Sequence, residues 1–144
     1  MKKLFYRLEH KDTRMGIYNC FINISFGTST NEKHPMPTED SLLLDNYEKE
    51  WPPAEDDDSY ISNCNDRFRF GFNSLLQLKN WFYNDWWLKE LNDKSIVLRV
   101  YEVPYICEGT TQCIIHAEDH IMENLKEEIC LLSLIDNKSN ENRD

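Results

Sequence analysis

Along this chain, five stretches carry the two-residue alternation or the β-branched and aromatic enrichment of strands, and two carry a helical period. "KLFYRLEH" (Lys3–His10) alternates, with Phe5 and Leu8 on opposite faces. The turn "KDTRMG" leads into "IYNCFINISF" (17–26), expected to pair with the first strand as a hairpin. "RFRFGF" sets Phe68, Phe70 and Phe72 against Arg67, Arg69 and Gly71, the pattern of a half-buried strand. "SIVLRVYEV" (95–103) is a further strand, and "TQCIIH" (111–116) is expected to return beside it as a hairpin partner. Ser74-x-x-Gln77 fits a capping box, and the spacing predicts a helix from there to about Leu91. Leu75, Leu78, Phe82 and Trp86 share one narrow sector of it, with Trp81 on one flank and Leu76, Tyr83 and Trp87 on the other. Ile121, Leu125, Ile129 and Leu132 predict a last helix in "AEDHIMENLKEEICLLSLI".

Between 27 and 65 the pattern dissolves. "GTSTNEKHPMPTED" is rich in proline and turn residues, "SLLLDNYEKEW" suits one helical turn or more, and "PPAEDDDSYISNCND" suits neither a central strand nor a helix interior. Loops this long are usually functional or disordered. The resulting order is β–β–loop–β–α–β–β–α. The fold class is α+β, a mixed or antiparallel sheet of about five strands with two helices packed on it. The expected organisation is one domain over 1–135, containing the 27–65 acidic and proline-bearing loop, followed by a polar, disordered tail over 136–144.

The net charge is −10, which argues against direct nucleic-acid binding, since phosphate backbones call for a basic surface. No segment approaches the roughly 20 apolar residues of a membrane span, and "MKKLFYRLEHK" lacks the apolar run of a signal peptide. The five cysteines (Cys20, Cys64, Cys107, Cys113, Cys130) are odd in number and include no C-x-x-C. Reduced thiols in a cytoplasmic protein are the expectation.

Four groups carry possible chemistry. Cys113, His116 and His120 have C-x2-H-x3-H spacing, a weak zinc candidate with no fourth ligand; the plainer reading is structural or surface residues, with no metal. "DNYEKEWPPAEDDD" carries seven acidic residues against one lysine. It is either a solvated loop or an acidic arm with Tyr47, Trp51, Asp56, Asp57 and Asp58 meeting a partner. "WFYNDWW" holds three of the four tryptophans, and one helix cannot bury Trp81, Tyr83, Trp86 and Trp87 on one side. Trp86 and Trp87 are therefore candidates for core or for a binding edge. Arg7, Ser74, Glu102 and Glu108 would suit glycosidic chemistry on a dinucleotide: an arginine for phosphates, a serine, and a glutamate for an oxocarbenium-like centre. No G-x-G-x-x-G, Walker loop, G-x-S-x-G or H-E-x-x-H is present.

The stretches "LFYRLEH…GIYN", "HPMPTED", "FGFNSLLQLKNWF", "LRVYEVP" and "QCIIH" together resemble small uncharacterised proteins carried by tailed bacteriophages. That resemblance implies an accessory protein acting in the cytoplasm of the infected bacterium. The layout of Arg7, Ser74 and Glu102 or Glu108 also resembles that of the ADP-ribosyltransferase fold, without S-T-S at Ser74 or E-x-E at the glutamates. That resemblance implies NAD, with phosphates held by Arg7, the nicotinamide ribose oriented by Ser74, and the developing cation stabilised by Glu102 or Glu108.

Two functions are carried forward. The first is a phage-encoded protein that binds and inhibits a host protein with a basic surface, expected to belong to a defence system, without a cofactor and without membrane or direct nucleic-acid contact. The alternative is an ADP-ribosyltransferase-like NAD- or nucleotide-binding enzyme.

Overall fold

The computed structural model describes residues 2–17, 40–50, 68–82 and 84–135. The elements run β1 (Lys3–His10), α1 (Ser41–Glu50), β2 (Phe68–Gly71), α2 (Leu75–Trp81), α3 (Asp85–Asp93), β3 (Ile96–Val103), β4 (Cys113–His116) and β5 (Leu125–Ile129), with short 3-10 turns flanking β5. The class is α+β, as the sequence predicts. The strands form two antiparallel sheets, β1-β3-β5 and β2-β4.

Strand alternation builds the layers. In the β1-β3 register Phe5 stands opposite Tyr101, Arg7 opposite Arg99, and Leu8 opposite Leu98. Odd-numbered β1 residues therefore share one face and even-numbered ones the other. Leu8, Ile96 and Leu98 pack against Leu78, Trp81, Phe82, Trp87, Leu88 and Leu91 from α2, α3 and the bend between them. Phe5, Tyr101 and Val103 pack the opposite way, against Ile106, Cys113 and Ile115. The far side of the β2-β4 sheet presents Phe68 and Ile114 to Leu43 and Tyr47 of α1. The order of layers is α2/α3, the three-stranded sheet, the two-stranded sheet, α1. Phe5 and Leu8 do lie on opposite faces, and both are buried.

The chain crosses between layers at Phe72. The backbone N–H of Tyr6 donates to the Phe72 carbonyl at 2.8 Å, and that of Phe72 to the Tyr6 carbonyl at 2.7 Å. Phe72 then meets Trp81 edge-on, 5.6 Å between centroids. Gly71 makes the crossing possible, because a Cβ there would strike the Phe5 ring and the Tyr6 carbonyl.

Several expectations change. The single helix predicted to Leu91 is two. Ser74 caps α2 as expected, its Oγ accepting the Gln77 N–H at 3.1 Å. The Gln77 side chain reaches back to the Asn73 N–H at 2.8 Å, one residue beyond the usual capping-box target. The helix stops at Phe82 and restarts where the Asn84 side chain accepts the Trp86 N–H. That break lets Trp81 and Trp87 both face inward, while Trp86 remains 45% exposed. The predicted last helix is also corrected: 125–129 is an edge strand on β3. A register shift between Val100 and Tyr101 sends Leu125 to one face, beside the Phe5 cluster, and Ile129 to the other. A bulged edge strand thus reproduces the four-residue apolar spacing of a helix, and tertiary pairing decides between them. β4 pairs with β2, not with β3 as the hairpin reading had it. Within 27–65, the one helical turn or more expected of "SLLLDNYEKEW" is a ten-residue helix, Ser41–Glu50. The strand expected at 17–26 and the tail 136–144 lie outside the described residues, apart from Ile17.

Candidate functional site

The buried face of β1 and β3 is apolar at one end and ionic at the other. Phe5 gives way to Arg7 and Glu9 along β1, and Tyr101 to Arg99 along β3. Glu9 is completely buried and is the hub of the group. Its Oε1 accepts from Arg7 Nε at 3.1 Å and pairs with His120 Nε2 at 2.7 Å. Its Oε2 accepts from Arg99 Nη1 at 2.9 Å and from the Tyr101 hydroxyl at 2.5 Å. A carboxylate offers about four lone-pair positions, and these partners fill them.

The hub reaches every neighbouring segment. Arg7 Nη1 donates to the Phe70 carbonyl of β2 at 2.7 Å. Arg69 Nε donates to His120 Nδ1 at 3.2 Å. Arg99 donates to the Lys11 carbonyl and to the Glu128 carboxylate of β5. Arg14, in the left-handed region at φ 64°, donates to the His120 carbonyl at 2.7 Å. Its guanidinium lies over the Tyr101 ring, 6.0 Å from the centroid. Gly16 completes the fit, since a Cβ there would meet the Arg7 guanidinium.

Electrostatics follow from burial against pairing. Burial alone would raise the Glu9 carboxyl, but hydrogen bonds from His120, Tyr101 and Arg99 outweigh it and hold it at about 2. Burial, helped by the Glu9 carboxylate, pushes the Tyr101 hydroxyl up to about 12, so it stays a donor. Burial lowers the Arg7 guanidinium to about 10 despite Glu9. One fully buried carboxylate thus serves several cations, and its chemistry is that of a clamp: it fastens β1, β3 and the 117–120 turn, with no lone pair left for a substrate.

A second junction lies at α1. Asp40, the last residue of "HPMPTED", caps the helix by accepting the Leu43 N–H at 3.2 Å. It also accepts the N–H groups of Thr110 and Thr111 and the Thr111 hydroxyl. Burial would raise its carboxyl, but those donors hold it below the ordinary range. Asp40→Ala is expected to cost about 2–3 kcal/mol, one cap plus the bonds to the 110–111 loop, read from the midpoint of denaturant unfolding. A loss below about 0.5 kcal/mol, the size of an ordinary surface change, would contradict it.

The residues singled out in the sequence fall as follows. Arg7 is in the hub. Glu102 is opposite Leu4, on the other face of the sheet. Ser74 and Glu108 come together through Asn73, whose side chain accepts the Ser74 hydroxyl at 2.9 Å and donates to Glu108 at 2.8 Å. The structure therefore joins Ser74 to Glu108 and leaves Arg7 and Glu102 apart from both. Cys113 faces the core with its thiol pushed up chiefly by burial, His116 lies on the opposite face of β4, and His120 is bound to Glu9. The weak zinc candidate is therefore corrected: its members do not converge, and no metal-binding group of His, Cys, Asp and Glu occurs among the described residues. As partner contacts, Tyr47 and Trp87 are corrected too. Tyr47 is buried edge-on against Phe68, and Trp87 is wholly buried. Trp86 is exposed; Trp51, Asp56, Asp57 and Asp58 lie outside the described residues. Among the described residues, Cys113 and Cys130 are free thiols. No helix among the described residues is long and apolar enough to cross a membrane.

Sequence reasoning missed Glu9, Arg99, Tyr101 and Asp40, and singled out His120 for zinc rather than for Glu9. The available signal was positional: Arg7 and Glu9 follow Phe5 at two-residue spacing, on a face that had to be buried.

Residues 1–126 match the family model described as Bacteriophage T4 Y00F protein. No curated protein and no solved structure matches the chain.

Proposed function

We propose, since this chain belongs to the bacteriophage T4 Y00F protein family, that it is a phage-encoded accessory protein that binds and inhibits a host protein through an acidic, aromatic-bearing surface. The observation that carries this reading is the charge. The chain has a net −10, and three of the seven acidic residues of its densest acidic run belong to a docked helix. Leu43 and Tyr47 hold α1 against the two-stranded sheet, while Asp45 and Glu48 face solvent. An acidic surface of this kind favours a basic partner and speeds its capture at low ionic strength. The run continues through Glu55, Asp56, Asp57 and Asp58, with the aromatic Trp51 within it; the exposed Trp86, on α3 in the opposite outer layer, offers an apolar anchor on a separate face. A component of a host defence system is the target class favoured, and inhibition is stoichiometric. The enzymatic alternative draws less support. Its phosphate-binding residue, Arg7, commits its guanidinium to Glu9 and to the Phe70 carbonyl.

The combined variant Asp56→Asn, Asp57→Asn, Asp58→Asn tests the acidic surface. Its affinity for the host partner is expected to fall on the order of tenfold at low salt, with a flatter salt dependence. Unchanged affinity with an unchanged salt slope would remove the acidic run from the mechanism.

A further inference from the structure

His120 is held between two groups with opposite demands. Arg69 Nε is a donor only, and it points at His120 Nδ1 from 3.2 Å. Nδ1 must therefore carry a lone pair, and the ring proton sits on Nε2, donating to Glu9 Oε1 at 2.7 Å. The geometry thus selects one neutral tautomer. A second proton, on Nδ1, would set two N–H groups against each other. It would also add a cation to a site where Arg7 and Arg99 already bond to Glu9 and Arg14 lies 3.9 Å from it.

We propose that His120 is an acid-sensitive latch: as a neutral ring it fastens the 117–124 turns to the buried Glu9 carboxylate, and as an imidazolium it releases them. Every element around the ring contributes to the bias. Glu9 and Arg7 face it from β1, Arg14 from the following turn, Arg69 from β2, and Tyr101 edge-on from β3 at 4.9 Å, with Arg99 beyond. His116, Glu118 and Asp119 flank it in its own segment. Only Glu9 among the hub's groups favours the imidazolium, and its lone pairs are shared among four donors. Burial foremost, then Arg7 and Arg14, hold the ring's affinity for a proton below the ordinary 6.5, against the pull of Glu9. The sign follows: docking is fully stable above 6.5 and weakens as the pH falls below it, because the released ring takes up a proton more readily. Release also loses the Arg14 bond to the His120 carbonyl. β5 stays paired with β3 and β4 with β2, so the opening is local.

The test is a pH titration of the whole chain by NMR, reading the ring nitrogens of His120 and the backbone amides together. The ring readout separates His120 from Asp119, whose carboxyl burial also pushes up. The expected result is the Nε2–H tautomer at neutral pH, then protonation below 6.5 in step with loss of amide protection confined to 117–124. An Nδ1–H tautomer at neutral pH would overturn the latch, and so would protonation with the 117–124 amides unmoved. His120→Gln, which keeps a donor for Glu9 but does not titrate, is expected to leave the segment docked across the same range. The wild-type step persisting in that variant would also overturn it. Should the variant fail to fold, the wild-type titration decides alone.

Discussion

Glu9→Gln is expected to destabilise the fold by about 3–5 kcal/mol, the usual cost of removing one partner from a buried ionic group. The amide keeps the shape of the carboxylate and loses its charge. Whichever way it turns, its N–H2 group faces donors: Arg7 and His120 on one side, Arg99 and Tyr101 on the other. Both buried guanidiniums are then left without their central counter-charge. With total stabilities of about 5–15 kcal/mol, the loss takes a large share. Chemical denaturation of both proteins at neutral pH measures it. The wild type should also carry an acid limb that the variant lacks. Glu9 is depressed in the folded state from 4.5 to about 2, so its contribution is complete above 4.5 and lost as the pH falls toward 2. A loss under about 1 kcal/mol, or the same acid limb in both proteins, would show that Glu9 is not the clamp.

The second large effect separates adjacent tryptophans. Trp87→Ala is expected to cost about 3–5 kcal/mol, because the ring is wholly buried between α3 and the three-stranded sheet. Trp86→Ala is expected to cost about 1 kcal/mol or less, since that ring is 45% exposed and its main packing is an edge-on contact with Trp87 at 4.8 Å. Thermal or denaturant unfolding of the two variants gives the comparison. The reverse ranking would contradict the break at Phe82–Asn84, because a continuous helix turns Trp86 inward and Trp87 to its flank.

How far the sequence was legible follows from the range of the interactions involved. Alternation reveals β1, β2 and β3 because the two faces of a strand are set by residues one pleat apart. The Ser74 cap was read because its partner lies three residues on. The helix break was not, because Asn84 acts as a restart signal only once Trp81 and Trp87 must share one core. The sequence predicts a helix at β5 because a bulged edge strand and a helix place Leu125 and Ile129 at the same spacing. The hub was out of reach for a different reason. In the sequence Arg7 is an arginine suited to phosphate, and only the β1-β3 register reveals that it shares a buried face with Glu9, Arg99 and Tyr101. His120 reaches Glu9 across 111 positions, a pairing that no local pattern encodes. Of the acidic surface, the sequence supplied the charge, and the structure added that Tyr47 anchors the helix from within rather than facing a partner.

The central functional claim is capture of a basic host protein by an acidic phage protein. The most direct measurement is affinity capture from a bacterial host lysate by the tagged full-length chain at low and then moderate salt. The Asp56→Asn, Asp57→Asn, Asp58→Asn variant runs alongside, and the retained proteins are quantified by mass spectrometry. The account predicts one stoichiometric partner with a basic surface, held at low salt, released as salt rises and depleted on the variant. No partner at either salt, or one whose retention ignores both salt and the variant, would contradict it.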